Sequence, residues 1–97
     1  MLKTSDQDWV VSDKSEMSEA EQMDAIEFAK VALQKETEFS DMAEFIKGEF
    51  DKTHGGMWCC SVGIFGHYEL DTDHVENHYI EYHLCELGIV LFMITVL

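Results

Sequence analysis

The feature that most constrains this chain is a change of hydrophobic period at His54-Gly55-Gly56. Before it, apolar residues recur at the three- and four-residue intervals of a helix; after it they alternate as in a strand. A 97-residue chain divided between two such patterns has to lay helices against a sheet. The expected fold class is therefore α+β, two helices packed on one antiparallel β-sheet. A chain this short buries only about two thirds of the surface its unfolded form exposes, so dimerisation would help it. No repeat or low-complexity linker divides it. Residues 1–8, polar with nothing to bury, are expected to form a disordered tail, and residues 9–97 a single folded domain.

The first helix opens on Ser18 and Glu21, spaced as a capping box in which each side chain satisfies a free backbone donor. Glu19 and Glu21 complement the positive end of the helix dipole. Met23, Ile26, Ala29 and Leu33 follow helical spacing to about Lys35, with Phe28, Val31 and Ala32 widening the stripe. A second helix is expected to open with Ser40 as its cap and Asp41 in its first turn, and to bury Met42, Ile46 and Phe50 beside Phe45. Gly55 and Gly56 stop it in the left-handed cap conformation. Gly48, inside the helix, costs up to about 1 kcal/mol relative to alanine, which predicts a close-packed neighbour there.

The remaining segments read as strands. Trp9-Val10-Val11-Ser12 suits a short edge strand. In residues 57–62, Trp58, Cys60 and Val62 share one face and Met57, Cys59 and Ser61 the other, so Cys60 is a small buried hydrophobe and the adjacent thiols do not form a redox pair. Residues 65–70 alternate as Phe65, His67 and Glu69 against Gly66, Tyr68 and Leu70, and Gly66 marks a place where a foreign backbone comes close. A polar loop over residues 71–77 leads to a strand over 78–84, with His78, Ile80, Tyr82 and Leu84 opposed to Tyr79, Glu81 and His83. Cys85-Glu86 leaves room for a tight turn into the apolar run 87–92, a central strand covered on both faces.

Composition narrows the function. With 20 acidic and 6 basic residues the formal net charge is -14, which repels phosphate backbones and anionic lipid, so neither nucleic acid nor membrane is an expected partner. The polar start is unlike a secretory signal peptide, and the apolar stretch from Gly88 to the last residue is shorter than the roughly 20 residues of a membrane span. Three cysteines without a C-x-x-C spacing fit a reducing compartment. All five histidines fall between His54 and His83, but His74 sits in a loop and His78 begins a strand, which is not a metal-ligand geometry. The run from Asp71 to Asn77 imitates the start of a calcium loop, yet has Glu76 at the sixth position and Tyr82 at the twelfth. No metal or cofactor is expected. No local signature gives Cys59 or Cys60 a triad partner, and no glycine-rich phosphate loop occurs, so the chain is expected not to be an enzyme.

Phe50-Asp51-Lys52, Trp58, Val62-Gly63, Phe65-Gly66, Tyr68, His78 and Ile89-Val90-Leu91-Phe92, in order and over most of the chain, resemble the dynein light chain family of the eight-kilodalton class. The resemblance implies a strand-swapped homodimer in which residues 65–70 join the other subunit's sheet. It also implies two grooves that each take up an extended peptide as an added strand, a segment of dynein intermediate chain or another disordered protein segment, in a cytoplasmic, cytoskeleton-associated setting. Main-chain bonds at about 0.5–1.5 kcal/mol each give micromolar binding after ordering costs, so paired grooves matter through effective concentration. Carried over by position, the groove residues are Phe65, Gly66, His67, Tyr68, Glu69, Tyr79, Glu81, His83 and Gly88, with Ser40 and Asp41 at the second helix; Cys59, Phe65, His67 and Tyr68 fall at the dimer interface. His67 stands where the family has a small serine, and Glu81 and His83 where it has tyrosines, so this groove is bulkier and more acidic. Cys59 replaces an interface histidine, which predicts a dimer without that proton switch. The alternative is a structural or surface-associated adaptor of the same fold that has lost the motor partner.

Overall fold

The structure is a computed structural model that describes residues 9–12, 15–65 and 78–94. Its elements are β1 (Val10–Val11), α1 (Glu19–Lys35), α2 (Phe39–His54), β2 (Met57–Ile64), β3 (Tyr79–Leu84) and β4 (Leu87–Ile94). The strands form one antiparallel sheet in the order β1-β3-β4-β2. Two helices on a four-stranded antiparallel sheet is the expected class. The tail over residues 1–8, the stretch 66–70 and the loop 71–77 lie outside the described residues.

Helix α1 starts as its sequence dictates. Ser18 Oγ accepts from the Glu21 N–H at 3.2 Å and Glu21 Oε1 accepts from the Ser18 N–H at 3.4 Å, closing the capping box. Its buried stripe is Ala25, Ile26, Ala29 and Ala32, whereas Met23 and Leu33, expected in the core, are exposed. The reason is proximity: three alanines let α1 lie close, where the larger side chains have no room. Helix α2 buries Met42, Ile46 and Phe50 as expected. Its cap is Glu38, without a side-chain capping bond, and Ser40 lies inside the first turn, so the expected Ser40 cap is corrected. The helix begins two residues earlier because Phe39 already takes helical backbone.

Two glycine expectations change as well. A Cβ built on Gly48 meets nothing within 4 Å, so no neighbour requires that glycine. Gly55 has φ 72° but ψ 173°, outside the left-handed helical region and in one open essentially to glycine alone; its N–H still donates to the Asp51 carbonyl at 3.1 Å. The chain leaves α2 extended instead of curling through a left-handed cap.

The core lies between the helices and one face of the sheet. Trp58, Phe50, Tyr82, Ile46, Ile80, Ile89 and Leu91 are fully buried there, each apolar side chain contributing about 1.5–3 kcal/mol of transfer free energy. Phe50 sits edge-on to both Phe28 and Trp58, at ring-centre distances of 5.5 and 4.7 Å. Two polar ends are satisfied locally: Trp58 Nε1–H donates to the Gly55 carbonyl at 2.8 Å and the Tyr82 hydroxyl to the Ala25 carbonyl at 2.9 Å. Burial, followed by the nearby Cys60, holds the Tyr82 hydroxyl well above its ordinary pKa. β4 is the central strand and is buried on both faces, as its apolar run implies.

Candidate functional site

The two outer strands of the sheet are finished differently. Beyond β3 lies the N-terminal segment: Val10 pairs with His83 and Val11 with Tyr82, the Ser12 N–H donates to the Glu81 carbonyl at 2.8 Å, and Glu16 bridges Tyr79 in both directions. Ser15 Oγ accepts from the Glu81 N–H at 3.0 Å. β3 is thus covered along this side by main-chain partners and by Ser15 Oγ, and the two-residue β1 forms the margin of the sheet. On the opposite side β2 pairs with β4 across all eight of its residues, and among the described residues nothing pairs with its second edge. An antiparallel strand of that length presents a row about 27 Å long in which alternate residues aim N–H and C=O outward.

Beside this edge runs a groove of about 470 Å³. Phe39, Ser40, Ala43, Glu44 and Lys47 of α2 form its wall, and Cys60, Ser61 and Val62 of β2 its floor. The helix holds this wall because Met42, Ile46 and Phe50 bury the other face, turning the intervening residues toward the sheet margin. Phe39, Ser40, Glu44 and Ser61 are exposed. Lys47 is engaged: its Nζ contacts Asp51 Oδ2 at 2.7 Å while Asp51 Oδ1 accepts the Trp58 N–H at 3.0 Å. The bond to Asp51 raises the Lys47 pKa. Partial burial pushes the Asp51 carboxyl up, but the bonds from Lys47 and Trp58 outweigh it and leave its pKa below the ordinary value.

The face of the sheet turned away from the helices carries most of the other residues expected at the site. Its register aligns Tyr79 with Phe92 and Cys59, Glu81 with Val90 and Ser61, and His83 with Gly88 and Gly63. Val90 and Phe92 are buried although they face away from the helical core. Burial, then the Glu81 charge, raises the Tyr79 pKa. Phe65 follows β2; its N–H donates to the Glu86 carbonyl at 2.6 Å and its ring stacks on His83 at 3.8 Å.

Within one chain, then, the structure brings Phe65, His83 and Gly88 together at one end of the outer face and sets Tyr79 and Glu81 farther along it. Ser40 stands at the groove on the other side of β2's edge, and Asp41 is exposed beside it in the first turn of α2. Gly66, His67, Tyr68 and Glu69 lie outside the described residues. Cys59 lies on the outer face and Cys60 on the core face, as alternation requires. Burial, then Cys59, drives the Cys60 thiol far above its ordinary pKa, which disarms it as a nucleophile. Glu44 was missed by reading the sequence, since nothing in helical spacing tells a groove wall from a solvated flank.

A second polar cluster joins three elements. Glu21, already part of the capping box, places Oε2 at 3.5 Å from His78 Nδ1 and 3.9 Å from His54 Nδ1, while His54 Nε2 meets Asp24 Oδ2 at 2.9 Å. Among the described residues no group of three or more histidines, cysteines or carboxylates is arranged to hold a metal ion, and no helix is long and apolar enough to cross a membrane.

Two helices on one face of a sheet, with one margin formed by the two-residue β1 and the other by the eight-residue β2 beside a groove, define a strand-edge scaffold. The family model for dynein light chain type 1 matches residues 10–94, and the chain belongs to the dynein light chain family. Two solved structures of the dynein light chain-like domain of the calcium binding protein FhCaBP2 from Fasciola hepatica superpose with TM-scores of 0.79 and 0.74 at 20% identity, covering 98% and 97% of this chain and 100% of each of those chains. The corresponding domain of CsTAL3 superposes with a TM-score of 0.69 at 25% identity, over 89% of this chain and 92% of that one.

Proposed function

We propose that this chain is a non-catalytic homodimeric hub that binds extended segments of other proteins by β-strand addition, dynein intermediate chain among them. The observation that carries this reading is the chemistry of β2's free edge. Residues 57–64, Met-Trp-Cys-Cys-Ser-Val-Gly-Ile, contain no charge and no proline. Proteins protect an exposed edge with lysine, proline or a very short strand, so an uncharged eight-residue edge is an association site. The family supports protein partners, and the reading has a second subunit packed on the outer face, with residues 66–70 crossing to the partner's edge. Gly66, His67, Tyr68, Glu69, Tyr79, Glu81, His83 and Gly88 then meet Ser40 and Asp41 only in the assembled pair. The cytoplasmic, cytoskeleton-associated setting follows from the same reading.

Isothermal calorimetry with a dynein intermediate chain peptide, alongside sedimentation equilibrium, tests it. Micromolar binding at two peptides per dimer is expected. A monomer that binds no peptide overturns the proposal. A dimer that releases no heat with that peptide but captures another extended segment moves the chain to the adaptor alternative, which Glu81 and His83 on the outer face favour.

A further inference from the structure

A cavity of about 660 Å³ opens where the start of α1, the end of α2 and the entry to β3 meet, and Met17, Ser18, Ala20, Glu21, His54 and His78 line it. It lies on the helical side of the sheet, since His54 and His78 both stand against the buried Trp58 ring, at centre distances of 6.5 and 5.8 Å. His54 Nε2 is 2.9 Å from Asp24 Oδ2, and an ionised carboxylate only accepts, so a neutral His54 carries its proton on Nε2. Its Nδ1 is then bare and faces a second carboxylate oxygen, Glu21 Oε2, at 3.9 Å. His78 Nδ1 stands 3.5 Å from that same oxygen, shut off from solvent and without a hydrogen bond among the described residues. Glu21 is kept in this position by its other oxygen, which accepts from the Ser18 N–H in the capping box. One carboxylate oxygen thus confronts two ring nitrogens, and neither is bonded to it.

We infer that Glu21 anchors a proton-operated clamp: on acidification His54 and His78 take up protons on the nitrogens that face Glu21 Oε2 and draw the end of α2 and the entry to β3 onto the start of α1. Protonation turns the lone-pair confrontation at His54 Nδ1 into a charge-assisted hydrogen bond and gives the enclosed His78 Nδ1 the partner it lacks. Two imidazolium charges then meet two carboxylates, Glu21 and Asp24, both on α1. Asp51, the carboxylate one turn before His54 on α2, is already held by Lys47 and the Trp58 N–H, and the Phe50 and Trp58 rings beside His54 carry no charge. From β4, Met93 contributes only its N–H, which donates to the His78 carbonyl at 3.0 Å and so ties the clamp to the central strand. With Glu21, His54 and His78 only 15%, 20% and 32% exposed, these pairs are screened less than ion pairs on an open surface. Protons that the folded chain holds more tightly than the unfolded chain add stability where they are bound, and that gain is lost as they leave at higher pH. The clamp works within one subunit and does not depend on strand addition.

Heteronuclear NMR of the histidine rings in the full-length chain, from about pH 8 to about pH 5.5, reads tautomer and protonation directly. His54 is expected to carry its proton on Nε2 at the upper end of the range, and both His54 and His78 to carry two ring protons at the lower end. Urea melts of the wild type and Glu21→Gln over the same range, at one fixed protein concentration, read the stability. Glutamine preserves the capping box, and every histidine is common to both proteins, so the difference between them isolates the clamp. The folding equilibrium constant of the wild type is expected to rise about five- to tenfold more than that of E21Q on acidification. The same pH dependence in both proteins, a His54 proton on Nδ1 at the upper end, or either ring still neutral at the lower end overturns the inference. The ring spectra are taken on the wild type, so they decide the matter even if E21Q does not fold.

Discussion

Gly48 and Gly56 allow one substitution to be tested for opposite signs within the same molecule. Gly48 lies in the interior of α2, where glycine costs about 0.8–1.0 kcal/mol relative to alanine because its backbone loses more freedom on folding. A Cβ there meets no atom within 4 Å, so alanine brings neither a clash nor a packing gain, and propensity alone sets the outcome. Gly48→Ala is expected to stabilise by about 0.5–1 kcal/mol, raising the melting temperature by about 3–6 °C for a chain of this size. At Gly56 the backbone has φ 88° and a Cβ would stand 2.8 Å from Met93 Cε. Gly56→Ala is expected to destabilise by about 1–2 kcal/mol, mostly from backbone strain, since the methionine end can shift. Urea and thermal melts of both variants, at one fixed protein concentration so that association does not move the midpoint, read the two values. A destabilised G48A would refute the reasoning by showing that α2 packs against something at that position; a neutral G56A would refute the strain assigned to the positive φ of Gly56.

Asp51 accepts from Lys47 and Trp58 and its folded pKa is lowered, so its contribution is present above the ordinary carboxylate pKa and is lost as pH falls through the folded value. Asp51→Asn is expected to cost about 1 kcal/mol at pH 7, with the gap to wild type closing in urea titrations as pH falls below the ordinary carboxylate pKa of about 4. Tyr82→Phe removes one buried hydroxyl bond to a helical carbonyl and is expected to cost about 0.5–1.5 kcal/mol with an unchanged urea m-value. Cys85, exposed in the two-residue β3–β4 turn, has φ 53°; Cys85→Gly relieves that conformation and is expected to stabilise by about 0.5–1 kcal/mol in the same melts.

How much of this molecule is written in its sequence depends on the range of the interaction involved. The capping box of Ser18 and Glu21, the α2 stripe of Met42, Ile46 and Phe50, and the strand alternation that separates Cys59 from Cys60 are all local. They follow from covalent spacing and the period of one element, and the order of the motif residues from Phe50 to Phe92 carries the resemblance to the family. Other features required the neighbours to be in place. Met23 and Leu33 fit a helical stripe as well as Ala25 and Ala32 do; only the packing of α1 against α2 and the core decides that the alanines go inside. Gly48 looks like a packing glycine until the space beside it is seen to be open. His54 and His78 come from distant positions to meet at Glu21, a convergence that no spacing announces. The covering of β3 by the N-terminal segment and the openness of β2 among the described residues are likewise properties of the assembled sheet, because an edge exists only once strands are ordered side by side. The sequence by itself determined which segments become helix and strand and to which family they belong. Tertiary structure decided which faces meet and, among the described residues, which edge stays free.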